Sequence, residues 1–125
     1  MTIEIPQNRW KPFCEKLNAQ CQALLDIRLQ GDDLRLVAQA ALLRSLNFYE
    51  GDAGNNSLVI EFGAADKPPA QHCVIEPIHF ILRRESGGAH YHLLEIPSET
   101  GTTVIIFHPG ISPALLSELE IPLPA

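Results

Sequence analysis

The sequence predicts an α+β fold: an N-terminal helix packed on a strongly bent, mainly antiparallel sheet or small half-open barrel, with a short C-terminal helix. Three observations predict it. Residues 8–21 carry apolar side chains at spacings of three and four, as on one helix face. Residues 24–108 consist of short alternating or β-rich runs divided by turn residues. Ser112-Pro113 is a helix-start signal, which places a helix over residues 112–119 and leaves 120–125 as a tail.

The length of 125 residues predicts a single domain, 1–125. The first helix presents one apolar face, and we expect its aromatic residues to anchor it over the sheet. That face consists of Trp10, Phe13, Cys14, Leu17 and Cys21.

The first strands follow this helix directly. Leu24–Gln30 alternates between apolar and polar residues, as a half-buried strand does. Gly31-Asp32-Asp33 is a turn, so the next run forms a hairpin with it. Ala38–Ser45 fits a helix almost as well as a strand; we favour a strand broken by a bend.

A second hairpin joins residues 46–49 to Ser57–Phe62 through a polar loop. His72–Glu76 reads as a short strand that Pro77 interrupts. Because proline has no N–H for a ladder, we expect that strand at a sheet edge or beside a bulge.

Three consecutive strands are predicted at 78–85, 90–96 and 102–108. Gly87-Gly88 suits a two-residue hairpin turn, which would place Arg83 opposite His92 and Glu85 opposite His90. The centre of this three-stranded unit is apolar on both faces. We therefore expect both faces to be covered.

The net charge is −6, with 15 acidic and 9 basic residues. This argues against nucleic acid and anionic membranes as partners, because both favour a basic patch. No apolar run approaches the roughly 20 residues of a membrane helix, and the start lacks signal-peptide features. We expect a cytoplasmic protein whose three cysteines are free thiols.

Two histidines on one strand raise the question of a metal site. His90 and His92 share a face by alternation, and Glu85 could join them as a ligand. Arg83 would add positive charge there, so a polar hairpin tip is the favoured interpretation. No phosphate loop, nucleophile elbow or paired CxxC motif is present. We predict no catalytic residue and no cofactor, and leave enzymatic activity open while favouring its absence.

The favoured function is a non-catalytic interaction or regulatory module that self-associates as a homo-oligomer, because the apolar surface exceeds what one helix covers. One alternative is a small-ligand binder with a pocket between helix and sheet, lined by Trp10, Phe13, Phe80 and Phe107. Another is a metal-binding protein or enzyme that uses the His90/His92 face.

Two segments resemble an uncharacterised family of small bacterial proteins. The opening Ile3-Glu4-Ile5-Pro6-Gln7-Asn8-Arg9-Trp10 is similar to the family's Ile-Pro-x-x-x-Trp helix start, and residues 94–103 to its closing hairpin. The sequence departs from the family at Gln7, where a basic residue is favoured, and in a longer extension after His108. The resemblance implies a bacterial origin and a helix-then-sheet order, but no activity.

Overall fold

A computed structural model describes residues 2–20, 23–30, 35–52, 55–64, 66–84, 88–99 and 101–121. Its elements, in chain order, are β1 (Thr2–Glu4), a 3₁₀ turn (Gln7–Arg9), α1 (Trp10–Gln20), β2 (Leu24–Gln30), β3 (Arg35–Tyr49), β4 (Ser57–Phe62), β5 (Ala70–Ile75), β6 (Ile81–Arg83), β7 (Tyr91–Ser98), β8 (Gly101–Ile111) and α2 (Pro113–Glu118).

Within these described residues the strands form one eight-stranded antiparallel sheet, in the order β1-β6-β7-β8-β2-β3-β4-β5. The sheet is not closed, since β1 and β5 stand at its two ends. The predicted α+β class, with an N-terminal helix and a short C-terminal helix, is confirmed. Strand β1 was not predicted, because its three residues are too few to show a periodic pattern.

Strand β3 connects the two halves of the sheet. Its first part pairs with β2 and its second part with β4. The 38–45 segment is therefore strand, as favoured, and it is irregular: the β2–β3 register shifts around Ile27, and Ala40 has a φ of +48°. The extra residue of such a bulge bends the strand and increases its twist.

The carboxylate of Asp26 holds this bulge. The Ala40 N–H donates to Asp26 Oδ1 at 2.8 Å, and His108 Nε2 lies 3.3 Å from Asp26 Oδ2. The hydrogen bond from Ala40 lowers the pKa of Asp26, with a further contribution from His108, against the opposing effect of burial. The bend in β3 thus depends on an ionised side chain from its neighbouring strand.

Helix α1 packs by the apolar face that the sequence predicts. Trp10, Phe13, Cys14 and Leu17 are all buried. The Trp10 ring stacks on Phe80 with centroids 4.4 Å apart, and its indole N–H donates to the Ile5 carbonyl at 2.9 Å. The helix is therefore fixed both by ring packing and by a satisfied buried donor.

Asn18 is exposed on α1, and its side chain bonds to β3. Its side-chain amide donates to the Leu46 carbonyl at 2.9 Å and accepts from the Leu46 N–H at 2.7 Å. Strand β2 is paired with β3 only as far as Leu42. Beyond that point Asn18 occupies the position that a strand residue would take.

The back half of the sheet departs from the predicted register by one residue. Arg83 lies opposite Leu93, not His92, and Leu82 lies opposite Leu94. A slip of one residue exchanges the two faces of a strand. The observed pairing places Leu82, Leu94 and Ile96 together on the buried side, and this burial decides the register. Glu85 and Gly87 lie outside the described residues, so their part of the predicted hairpin is not assigned.

The two faces of β6, β7 and β8 are buried to different degrees. The inner face carries fully buried side chains and joins the core under α1. On the outer face Val104 is buried, whereas Ile81, Leu93 and Ile106 are only half-buried. The expectation that both faces are covered is therefore met on the inner side only. The outer face is therefore partly exposed and carries both apolar and charged side chains, including an Arg83–Glu95 ion pair.

Helix α2 docks by its leucines, as predicted. Leu115 and Leu116 are buried, and the Ser112 hydroxyl caps the helix by accepting from the Ala114 N–H at 3.2 Å. Two ion pairs tie this region to α1 and to the 3₁₀ turn before it: Lys16–Glu118 at 2.9 Å and Arg9–Glu120 at 3.2 Å. Both pairs are partly exposed, so we attribute the docking chiefly to the leucines.

Candidate interaction surface

The four aromatic residues predicted to line a ligand pocket lie in the core. Trp10, Phe13, Phe80 and Phe107 are each at most 3% exposed. Phe80 packs face to face on Trp10 and edge-on against Phe13, and Phe48 packs edge-on against both Trp10 and Phe80. Rings in direct contact leave no room between them for a ligand, so a pocket here would require the cluster to open.

The two histidines of the predicted metal site are exposed and lie beside β8. The His92 ring has its Nδ1 atom 3.4 Å from the Phe107 carbonyl, and both histidines flank Gly110. Glu85, their proposed partner, lies outside the described residues. Among the residues that are described, no group of three or more His, Cys, Asp or Glu side chains could hold a metal ion.

Two cavities flank α1. One, of about 550 Å³, lies between the second half of α1 and residues 109–118; the other, of about 350 Å³, lies between α1 and the end of β3. Both volumes fall in the range of small-molecule sites. Their charged lining residues are Glu118 in the first, and Lys11, Glu15 and Glu50 in the second. The second cavity is also lined by Cys14, next to Glu15.

The two described cysteines differ in environment. Cys14 is buried under α1, and burial raises the pKa of its thiol to about 12, with Glu15 adding to the effect. It is therefore protonated and unreactive at neutral pH. Cys73 is an exposed free thiol on β5. His72, its neighbour in sequence, extends towards Thr103, with Nε2 3.4 Å from the hydroxyl oxygen.

The two edges of the open sheet are unlike each other. An edge strand exposes unpaired backbone groups, and proteins usually protect it by shortness, charge or proline. Strand β1 is three residues long and ends in Glu4, whose carboxylate lies 2.8 Å from His79. This edge is therefore protected by its length and its charge.

The β5 edge carries none of these protections within its own span. It is six residues long and reads Ala-Gln-His-Cys-Val-Ile, with no charged residue and no proline. Gln71, Cys73 and Ile75 are exposed, and Ile75 retains 52% of its accessible surface. Pro69 and Pro77 stand just outside its two ends. The predicted edge position of this strand is confirmed.

The direction of the β5 backbone groups follows from the ladder with β4. Just beyond that ladder, the Glu76 N–H donates to the Asn56 carbonyl at 2.9 Å. Hydrogen-bonded pairs recur at every second residue of an antiparallel ladder. His72 and Val74 therefore direct their N–H and C=O groups towards β4, whereas Gln71, Cys73 and Ile75 direct theirs to the open side.

This surface differs from the sites that the sequence suggested. The aromatic and histidine motifs were predicted as sites because their side chains can bind a ligand or a metal. Strand β5 offers backbone groups instead, and its sequence signal is an uncharged six-residue run bracketed by prolines. The sequence prediction used Pro77 alone and placed this strand at an edge or beside a bulge, whereas the direction of its backbone groups follows only from the observed pairing with β4.

In the described part of the chain, no helix is both long and apolar enough to cross a membrane. No protein-family model, curated protein or solved structure matches the chain. The resemblance of the opening segment to a bacterial family therefore stays a prediction.

Proposed function

We propose that this protein is a non-catalytic interaction module that self-associates through the open edge of β5. The observation that carries the proposal is an uncharged, proline-free edge strand whose alternate residues, Gln71, Cys73 and Ile75, offer backbone donors and acceptors to the open side. Addition of a strand at such an edge is a common mode of protein association. The contrast with β1, which is short and charged, identifies β5 as the available edge.

The other two functions receive less support from the described residues. The predicted ligand pocket is occupied by its own rings, and the histidine pair has no third ligand among the residues described. On the β5 edge, by contrast, Gln71, Cys73 and Ile75 are exposed, and pairing of the chain with β7 begins only beyond the strand, at Pro77.

The strength of this association can be bounded. Three outward residues on each strand give roughly six interstrand hydrogen bonds, each worth about 0.5–1.5 kcal/mol net. Covering the exposed half of the Ile75 side chain adds about 1 kcal/mol per copy. Against these stands an association cost of about 4–15 kcal/mol. The most favourable balance of these figures is about 7 kcal/mol, which corresponds to a dissociation constant of about 10 μM, so we expect a value between about 10 μM and 1 mM.

Sedimentation equilibrium from about 10 μM to 1 mM tests the proposal. The mass should rise with concentration from that of one 13.8 kDa chain towards twice that value. Replacing Cys73 with Pro removes an N–H that points to the open side, so the β4 ladder keeps its bonds while the edge is blocked. We expect Cys73→Pro to remain monomeric over the whole range.

A lysine pair separates an edge effect from a general effect of charge. Cys73→Lys places a cation on the edge strand and should weaken association at least tenfold. Leu36→Lys is the matched control, because Leu36 is exposed as Cys73 is but lies on β3, inside the sheet order. Its association should equal that of the unmodified chain. A chain that stays monomeric to 1 mM, or one that Leu36→Lys disrupts equally, refutes the proposal.

A further inference from the structure

We infer that the partner of β5 is the β5 strand of a second copy, paired antiparallel with Cys73 on the two-fold axis. This inference rests on the proposed function, and it specifies which surfaces meet and in which register. A two-fold dimer presents the same patch from both chains, so an edge strand that pairs with itself satisfies the symmetry. The β5 strand has the required property that its outward residues are spaced evenly about Cys73.

The register follows from which residues offer backbone groups to the open side. Outward residues must face outward residues, so Gln71, Cys73 and Ile75 of one chain pair with the same three of the other. With Cys73 on the axis, Cys73 faces its own copy and Gln71 faces Ile75 of the second chain. All outward residues are then used, in three hydrogen-bonded pairs.

The prolines that flank β5 disfavour the neighbouring registers. A slip of two residues in one direction places Pro69 opposite Ile75, and a slip in the other direction places Pro77 opposite Gln71. Proline has no N–H to donate, and Pro69 and Pro77 lie outside β5, so each slipped register keeps two complete hydrogen-bonded pairs instead of three. In addition, Glu76 has a φ of +52°, which ends the extended conformation directly after Ile75. The length of the edge therefore favours the register centred on Cys73.

The side chains are compatible with this pairing. No charged residue lies within β5, so no like charges face each other across the axis. The two Cys73 residues form a hydrogen-bonded pair, whose Cα atoms lie about 5.5 Å apart in antiparallel sheets. That distance is within the range of about 4.4–6.8 Å that a disulfide spans. The register therefore has a chemical signature that other registers lack.

This signature is a disulfide between the two copies, formed with a small-molecule disulfide as oxidant. The Cys73 thiolate attacks oxidised glutathione, which forms a mixed disulfide and releases one glutathione thiolate. The second chain's thiolate then attacks the Cys73 sulfur, which forms the interchain bond and releases the second glutathione. Two protein thiols are oxidised and one glutathione disulfide is reduced to two thiols. Cys14 does not compete, since it is buried and protonated. A link or adduct at Cys21 is distinguished by mass spectrometry of the modified peptides.

The test treats chains that carry cysteines at chosen positions with oxidised glutathione, at a protein concentration where sedimentation shows the dimer. Mass spectrometry and non-reducing gels then detect which chains become linked. The unmodified chain should give a Cys73–Cys73 linked dimer, and Cys73→Ser should remove the link while sedimentation still shows the dimer. In the Cys73→Ser background, a mixture of Gln71→Cys and Ile75→Cys chains should link to each other. Gln71→Cys alone should give only its glutathione adduct, because two Gln71 positions lie roughly 13 Å apart.

Leu36→Cys in the same background is the control for random collisions, since its exposed thiol lies away from the edge. It should give the glutathione adduct and at least tenfold less linked dimer. The Gln71→Cys chain is also mixed with unmodified chains, and its linking to their Cys73 at full yield would show a slipped register and overturn the inference while leaving self-association standing. A chain that is monomeric by sedimentation and gives only adducts overturns the proposed function and this inference together.

Discussion

The bulge at Ala40 provides a quantitative test of how the sheet bends. Asp26→Ala removes the carboxylate that accepts from the Ala40 N–H at 2.8 Å and lies 3.3 Å from His108. A hydrogen bond to a charged acceptor contributes about 1.5–3 kcal/mol, and the exposure of Ala40 lets water replace part of it. The exposed His108 contact adds little. We expect the free energy of unfolding to fall by about 1–2 kcal/mol at pH 7.

The stability difference between the unmodified chain and Asp26→Ala should depend on pH, in a direction that follows from the pKa of Asp26. The pKa of Asp26 is lower in the folded chain than the ordinary value of about 3.9, so its stabilisation is complete above that value. The stabilisation is lost as the pH falls through the folded-state pKa. Urea denaturation at pH 7 should show the full difference between the unmodified chain and Asp26→Ala, and this difference should shrink on acidification below pH 4.

Two comparisons make the test specific. Asp26→Asn keeps an oxygen acceptor without the charge, so its loss of stability should be smaller than that of Asp26→Ala. Asp66→Ala alters an exposed aspartate in the connection before β5 and should change the free energy of unfolding by less than about 0.5 kcal/mol. Equal stability of Asp26→Ala and the unmodified chain at pH 7 would refute the role assigned to this carboxylate.

Two further substitutions test the docking of α1. Asn18→Ala removes both hydrogen bonds to Leu46, which we expect to lower the free energy of unfolding by about 1–2 kcal/mol in urea titrations; Ala19→Ser, exposed on the same helix, should have little effect. Phe80→Ala removes the ring that contacts Trp10, Phe13 and Phe48, at an expected loss of about 3–5 kcal/mol, and should change tryptophan fluorescence in the folded state. An Asn18→Ala chain as stable as the unmodified one would show that Leu46 needs no side-chain partner, and an unchanged Phe80→Ala spectrum would contradict the stacked arrangement.

Elements with a strong local pattern were predictable. The spacing of Trp10, Phe13, Cys14 and Leu17 identified the buried face of α1, and alternation located β2 within its observed bounds, Leu24–Gln30. The cap at Ser112 and the leucines after it identified α2. In each case the residues of one segment are sufficient to predict the element.

Features that depend on distant partners were not predictable in this way. The pairing of β2 with β8 joins residues about 80 positions apart, and no local pattern specifies it. The predicted register of β6 on β7 is wrong by one residue. The prediction relied on the turn, whereas the burial of Leu82 and Leu94 on one face determines the pairing. The edge position of β5 followed from Pro77, but which residues face its open side follows only from its pairing with β4.

The central claim is that copies of this chain meet at the β5 edge. Sedimentation equilibrium of the unmodified chain and of Cys73→Pro, side by side up to about 1 mM, tests it most directly. Self-association of the first and a monomeric, folded second chain is the expected result. Equal association of both chains, or none in either, would contradict the claim.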